Sequence, residues 1–228
     1  MRPLVRQLFP AALLSAAVAL LTVPAFAGPP LICHPYQIGD ETSLPWDAGD
    51  GWNTPKASYD IRNLSRDTLD LLAPGRPVIV RMETLRRAAI YSAKDQTIMQ
   101  DLASRLMMRA LNAEAADKPD ALAWFDAGYF AESIRQMATT TKSKMNSPAQ
   151  GIDGYQYVKK SLVLGAEGPA VEYALALIKG APWPNEHFRK AVAGASEGSL
   201  LARNLLRHSG NQARNLDELR MTHRVAGR

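Results

Sequence analysis

A thiol stands beside an imidazole at Cys33-His34, and Cys33 is the chain's one cysteine. Such a pair can be a nucleophile, half of a metal site or part of a haem ligand set, because a nearby imidazolium favours the reactive thiolate. Two features oppose these readings. Neighbouring residues of an extended segment point to opposite sides, and only the last two letters of the haem attachment pattern C-x-x-C-H are present. The expectation is a small buried cysteine beside a turn histidine. The remaining histidines, His187, His208 and His223, form no ligand pair with one another or with His34 at helical or hairpin spacing, so no zinc site is read from them.

Trp46, Trp52 and Tyr59 lie close together among Asp47, Asp50 and Asp60. Aromatic faces flanked by acids suit a sugar or a cation, through stacking and hydrogen bonds. The alternative is that the indoles anchor a loop onto the body of the protein, and this is the expectation. The stretch DAGDG hints at a calcium loop but lacks the alternating oxygen ligands and closing Glu of an EF-hand. Cys33, His34, Trp46 and Trp52 are the ligand-contact candidates. No catalytic, cofactor-binding or metal-ligating residue is assigned, and no cofactor is expected.

Other charged groups read more simply. Asp67 and Asp70 are three apart, a spacing that acid–base pairs can use, but Asp67 suits the first turn of a helix, where the dipole favours an acid. Arg81, Arg86 and Arg87 stand on one expected helix, and Arg105 and Arg109 on the next. They can line an anion groove or form a solvated outer face offsetting Glu83, Asp95 and Asp101; the outer face is expected. Met99, Met107 and Met108 read as core filler. Asn63-Leu64-Ser65 fits a glycosylation acceptor in a host that glycosylates. No G-x-S-x-G, Walker loop, H-E-x-x-H or dinucleotide fingerprint occurs, which lowers the expectation of an enzyme.

The elements that must position these residues divide the chain of 228 residues. Residues 1–27 read as a secretory signal peptide. Arg2 and Arg6 give a positive start, an apolar run extends from Leu8 to Val23, and Ala25-Phe26-Ala27 supplies small residues before Gly28. The run is about 16 residues, short of the roughly 20 a membrane span needs. Export to the periplasm or the exterior is expected, with no membrane anchor after cleavage. Removing Arg2 and Arg6 takes the net charge of +5 to +3. That mild and scattered charge does not argue for nucleic acid. One cysteine allows no intramolecular disulfide, so packing must hold the fold.

Residues 28–57, rich in Pro, Gly, Asp and Trp, read as an extended arm that packs on the body through Tyr36, Trp46 and Trp52. Residues 58–210 read as helix after helix. Ser65 suits an N-cap, Pro77 a first helical position, and Asp95 a further cap. Val78, Met82, Leu85 and Ala89 share one helical face, as do Met99, Leu102, Ala103, Leu106 and Ala110. RPVIVRM is the one β-branched run, and Pro77 with its periodic continuation favours helix there. Residues 211–228 are polar and basic, either a short helix or a frayed tail. The expected fold class is all-α.

Two stretches beginning at Glu167 and Glu197, 30 residues apart, both read helix, tight Gly turn, helix. Such spacing marks stacked helical hairpins, in which neighbours bury the face a single pair cannot. Leu175 and Leu205 match and should both point inward. Residues 121–138, ALAWFDAGYFAESIRQMA, resemble a tetratricopeptide-repeat hairpin at Ala121, Trp124, Gly128 and Phe130, with Ser133 where that family usually has Ala. The resemblance implies an α-α superhelix, a turn at Gly128, a protein or peptide partner and no catalytic residues. The functional expectation is an exported binding or scaffolding module of the cell envelope. The alternatives are an envelope enzyme with a site between the arm (Cys33, His34) and the helices, and a structural subunit of an envelope assembly.

Overall fold

The computed structural model describes residues 31–48, 51–140, 151–209 and 213–224. The leader expected at residues 1–27 lies outside them, as do the first residues of the arm and Asp50 of the DAGDG stretch. The described residues form nine α-helices and no strand: α1 (Leu64–Leu71), α2 (Val78–Ser92), α3 (Gln96–Ala115), α4 (Ala121–Thr140), α5 (Gly154–Val163), α6 (Gly168–Lys179), α7 (Glu186–Gly194), α8 (Leu200–His208) and α9 (Leu216–Arg224). The fold is all-α with an N-terminal arm, as the periodicity predicts. None of these helices is long and apolar enough to cross a membrane.

Helix starts follow local chemistry. The Asp95 carboxylate accepts from the N–H groups of Thr97 and Ile98, opening α3. Asp153, Asn185 and Ser199 cap α5, α7 and α8 in the same way. Each such cap satisfies a donor with no partner inside its helix, and losing one costs about 1 kcal/mol. The first helix differs from expectation. Asp60 caps a 3-10 turn (Ile61–Asn63) that runs straight into α1, so Ser65 lies inside the helix and buried. Of RPVIVRM, residues Val78 to Met82 are helical, and Pro77 stands one position ahead of the first helical residue.

The turn implied at Gly128 is absent. Residues 121–140 form one continuous helix, capped by Asp120, whose carboxylate accepts from the N–H groups of Leu122 and Ala123. Gly128 instead marks where α5 crosses α4. A Cβ placed on Gly128 would stand 2.6 Å from the carbonyl oxygen of Gly154, which lies on the facing helix. The glycine answers to close backbone approach and not to a turn.

α4 packs on α5, α2 and α3, and α6 packs on α7, α5 and α8. α7 and α8 both pack on α6 and α9. The two Gly positions of the 30-residue spacing are not conformationally alike. Gly168 is the first residue of α6, whereas Gly198 takes a left-handed φ of +71° ahead of the Ser199 cap. Leu175 and Leu205 are both fully buried, as expected. One core runs from Leu31, Ile32, Tyr36 and Leu44 of the arm to Leu216 and Leu219 of α9. Within the C-terminal region, residues 216–224 are therefore a docked helix, the first of the two readings.

Candidate functional site

α2 is buried almost all round, because the arm covers what would be its outer face. The arm makes few backbone hydrogen bonds of its own, such as those of the Glu41 N–H to Ile38 and the Asp47 N–H to Thr54, and its other buried backbone groups must find partners elsewhere. The body supplies them from charged and polar side chains. The Glu83 carboxylate accepts from the Tyr36 N–H at 3.0 Å, from Arg86 at 2.8 and 2.9 Å and from Arg87 Nε at 2.6 Å. Arg86 donates onward to the carbonyls of Ile32 and Trp52, and Arg87 to that of Leu44. The Tyr91 hydroxyl donates to the Pro45 carbonyl and accepts from the Lys56 N–H. Asn204 of α8 reads the backbone of Gln37 in both directions, accepting from its N–H at 2.9 Å and donating to its carbonyl at 2.8 Å.

This overturns the solvated outer face expected for the α2 arginines. Arg81 and Arg86 are fully buried. Arg81 donates to Asp126 of α4 at 2.6 Å and to the carbonyls of Leu72 and Ala73. Arg109 adds a second, longer donor to the same Asp126 oxygen. Burial pushes the Asp126 carboxyl up to about 6, against the pull of Arg81 and then Arg109. Asp67 does stand in the first turn of α1, where it accepts from the Tyr59 hydroxyl at 2.8 Å.

The four ligand-contact candidates fall into this junction. Trp46 packs edge-on against Tyr91 with the Arg86 and Arg87 guanidinium groups 5.1 and 5.4 Å from its ring centre. Trp52 packs on the core and offers its carbonyl to Arg86. Both indoles hold the arm in place. Burial raises the Cys33 thiol, which works against the thiolate that nucleophilic chemistry requires. His34 meets His208 of α8 edge to face at 5.1 Å. Burial holds the His208 imidazole down to about 3, with His34 and Arg207 adding to the effect, and its Nδ1 pairs with the Tyr173 hydroxyl. Among the described residues no three His, Cys, Asp or Glu side chains gather as a metal site.

Among the clefts of the described residues, two lie apart from this junction and gather polar and apolar side chains. The first, of about 730 Å³, is walled by the starts of α2, α4, α6 and α8 and by the turn between α5 and α6. Pro77, Val78, Leu122, Leu164 and Leu201 give it apolar walls, and Asp120 and Glu167 an acidic edge. α4 and α8 are capped by their own Asp120 and Ser199, but α2 and α6 have no side-chain cap. The arm turns close by: Gly39 faces Leu200, and Arg76 of the cleft holds Glu41 and Thr42.

The second cleft, of about 380 Å³, is lined by Glu132 and Arg135 of α4, Tyr155 of α5, and Ile178 and Lys179 of α6. Behind Tyr155 runs a line of hydrogen bonds that the sequence did not disclose. The Tyr155 hydroxyl lies 2.7 Å from His187 Nε2, and His187 Nδ1 lies 2.5 Å from a Glu172 carboxylate oxygen. Comparison of the chain with protein-family models, with curated proteins and with solved structures finds no match.

Proposed function

We propose that this chain is an exported module that binds an extended segment of another polypeptide in the cleft at the helix starts. The observation that carries the reading is that cleft, of about 730 Å³, with apolar walls and two helix starts that no side chain caps. Apolar walls take side chains, and uncapped helix starts present N–H groups to the carbonyls of a bound backbone. Asn204 gives an internal precedent: the same body already grips one extended segment, its own arm, by both backbone groups of Gln37. The signal-peptide pattern read in residues 1–27 supports export.

The test is selection of a random peptide library on the chain from Gly28 to Arg228. Selected peptides should lose about tenfold or more in affinity, some 1.4 kcal/mol, toward Leu122→Glu and Leu164→Glu. They should bind Leu111→Glu, on the exposed face of α3, as they bind the parent. Equal affinity for all three variants, each checked for helix content by circular dichroism, rejects the cleft as the binding site.

A further inference from the structure

α7 and α9 pack on each other, and a smaller cleft, of about 250 Å³, opens between them. Arg189, Val192 and Ala193 of α7 line it, with Arg220 and His223 of α9. It shares no residue with the proposed peptide site. His223 is 8% exposed, and its Nε2 is buried without a hydrogen-bond partner. The ring itself is packed, standing edge-on to Phe188 with 5.2 Å between ring centres. Leaving a buried polar atom unpaired is costly, and nearly all such atoms in folded proteins have partners. Among the described residues nothing supplies one for His223 Nε2.

The surroundings restrict what that partner can be. Both arginines only donate. Arg220 is already engaged: it donates to Asp217 at 3.0 Å and to the Ala195 carbonyl, with Glu197 4.0 Å away. Arg189 is not. It gives one N–H to the Pro184 carbonyl, and the nearest acid in its own helix, Glu186, is held by Lys190. Among the described residues Arg189 makes no ion pair, and four of its five N–H donors have no partner there. Burial, and then the Arg189 charge, lower the His223 pKa, so the ring is neutral at neutral pH.

A neutral imidazole donates from one nitrogen, and a ligand that only accepts selects the tautomer with the hydrogen on Nε2. One cation here lacks a counter-charge, so the ligand that balances it carries a single negative charge. A carboxylate meets both conditions, and its two oxygens match the fork of a guanidinium. Val192 and Ala193 offer apolar contact to the carbon body of such a ligand. The cleft is smaller than the roughly 300–1,000 Å³ of pockets for drug-sized molecules, so that body is small.

We propose that the cleft between α7 and α9 binds a small monocarboxylic acid, its carboxylate held by Arg189 and His223 Nε2 and its apolar body against Val192 and Ala193.

The probe is benzoate. The chain is titrated at neutral pH with benzoate, with benzyl alcohol, which keeps the ring but lacks the charge, and with inorganic phosphate. Benzoate should saturate the chain and bind about tenfold or more tightly than either of the others, as a hydrogen bond to a charged group implies. It should also shift the His223 ring signals in NMR spectra and leave those of His34 in place. Arg189→Gln and His223→Phe should each weaken benzoate about tenfold or more. His223→Phe should do so without loss of stability, because it keeps a ring and removes the unpaired polar atom. Lys190→Gln, beside Arg189 but outside the cleft, should bind benzoate as the parent does. If benzoate binding does not saturate, is no tighter than that of benzyl alcohol or phosphate, or leaves the His223 signals unmoved, the unaltered chain alone rejects the proposal. Unchanged benzoate affinity in Arg189→Gln or His223→Phe, with helix content intact by circular dichroism, rejects it equally.

Discussion

The arm junction and the α4–α5 crossing bring segments together by opposite means. At the junction a segment with no helix and a single isolated bridge, Trp46 to Pro55, is held by buried charges: Glu83, Arg86 and Arg87 meet the backbone of Ile32, Tyr36, Leu44 and Trp52. At the crossing two helices meet at Gly128 and Gly154 with almost no side chain between them. The difference follows from where backbone hydrogen bonds go. A helix satisfies its own N–H and C=O groups and can approach another helix to backbone contact. This arm satisfies few internally, and burying it requires donors and acceptors from its host. The charge in α2 is thus part of how the arm is packed.

The largest effect should come from breaking the charged side of this contrast. Arg86→Met would leave the carbonyls of Ile32 and Trp52 without their donor and remove two of the bonds to the buried Glu83 carboxylate. Loss of one partner from a buried ion pair costs about 3–5 kcal/mol. Urea unfolding measures it, and a cost under about 1 kcal/mol would mean that apolar contacts alone hold the arm. A smaller effect of about 1–3 kcal/mol is expected at the crossing for Gly128→Ala, because the new methyl meets backbone, which cannot swing aside. Gly168→Ala supplies the control. Apart from its chain neighbours, the nearest atom to its new methyl would be a Leu162 methyl at 3.9 Å, and Pro169 follows it, so the change should cost less than about 1 kcal/mol. Equal costs for the two changes would remove close backbone approach as the reason for Gly128.

Parts of both regions were legible in the sequence. Asp95 before an apolar-periodic run gave the start of α3, and the stripe from Met99 to Ala110 gave its inner face, because caps and periodicity are local. Trp46 and Trp52 read as anchors, since large aromatics in a helix-free stretch must bury against something. The buried arginines were not legible. An arginine reads as surface unless its partners are known; Glu83 lies one turn from Arg86, but Asp126 and the carbonyls of Leu72, Ala73, Ile32 and Trp52 that complete the two sets lie outside any helical spacing. Gly128 misled because a helical glycine reads as a breaker until the facing Gly154 is placed. Tyr155, Glu172 and His187 come from three helices, and only the packing of α5, α6 and α7 aligns them.

The last effect concerns pH, and its net size in the unaltered chain is small because two buried groups have opposite signs. His208 lies against the arm, faced by His34, Tyr36, Tyr173 and Arg207. Its folded pKa of about 3 is below the ordinary 6.5. The unfolded chain therefore binds a proton that the folded chain refuses, and stability falls as pH drops from 6.5 toward 3. Asp126 of α4 behaves inversely. Its folded pKa of about 6 is above the ordinary 3.8, so its contribution is fully present below 3.8 and is lost as pH rises through 6. Between those two values the slopes oppose each other at about 1.4 kcal/mol per pH unit each. The unaltered chain should show little net dependence from these two groups, and the variants should separate them. Between pH 7 and 5 the stability advantage of the parent over His208→Gln should shrink by about 2 kcal/mol. Over the same interval its advantage over Asp126→Asn should grow by about 1 kcal/mol. Taking differences against the parent cancels the other titrating groups. Urea unfolding at several pH values measures both. If the two differences are flat with pH, the buried imidazole and the buried carboxyl titrate as they do in the unfolded chain, and burial in neither region perturbs them.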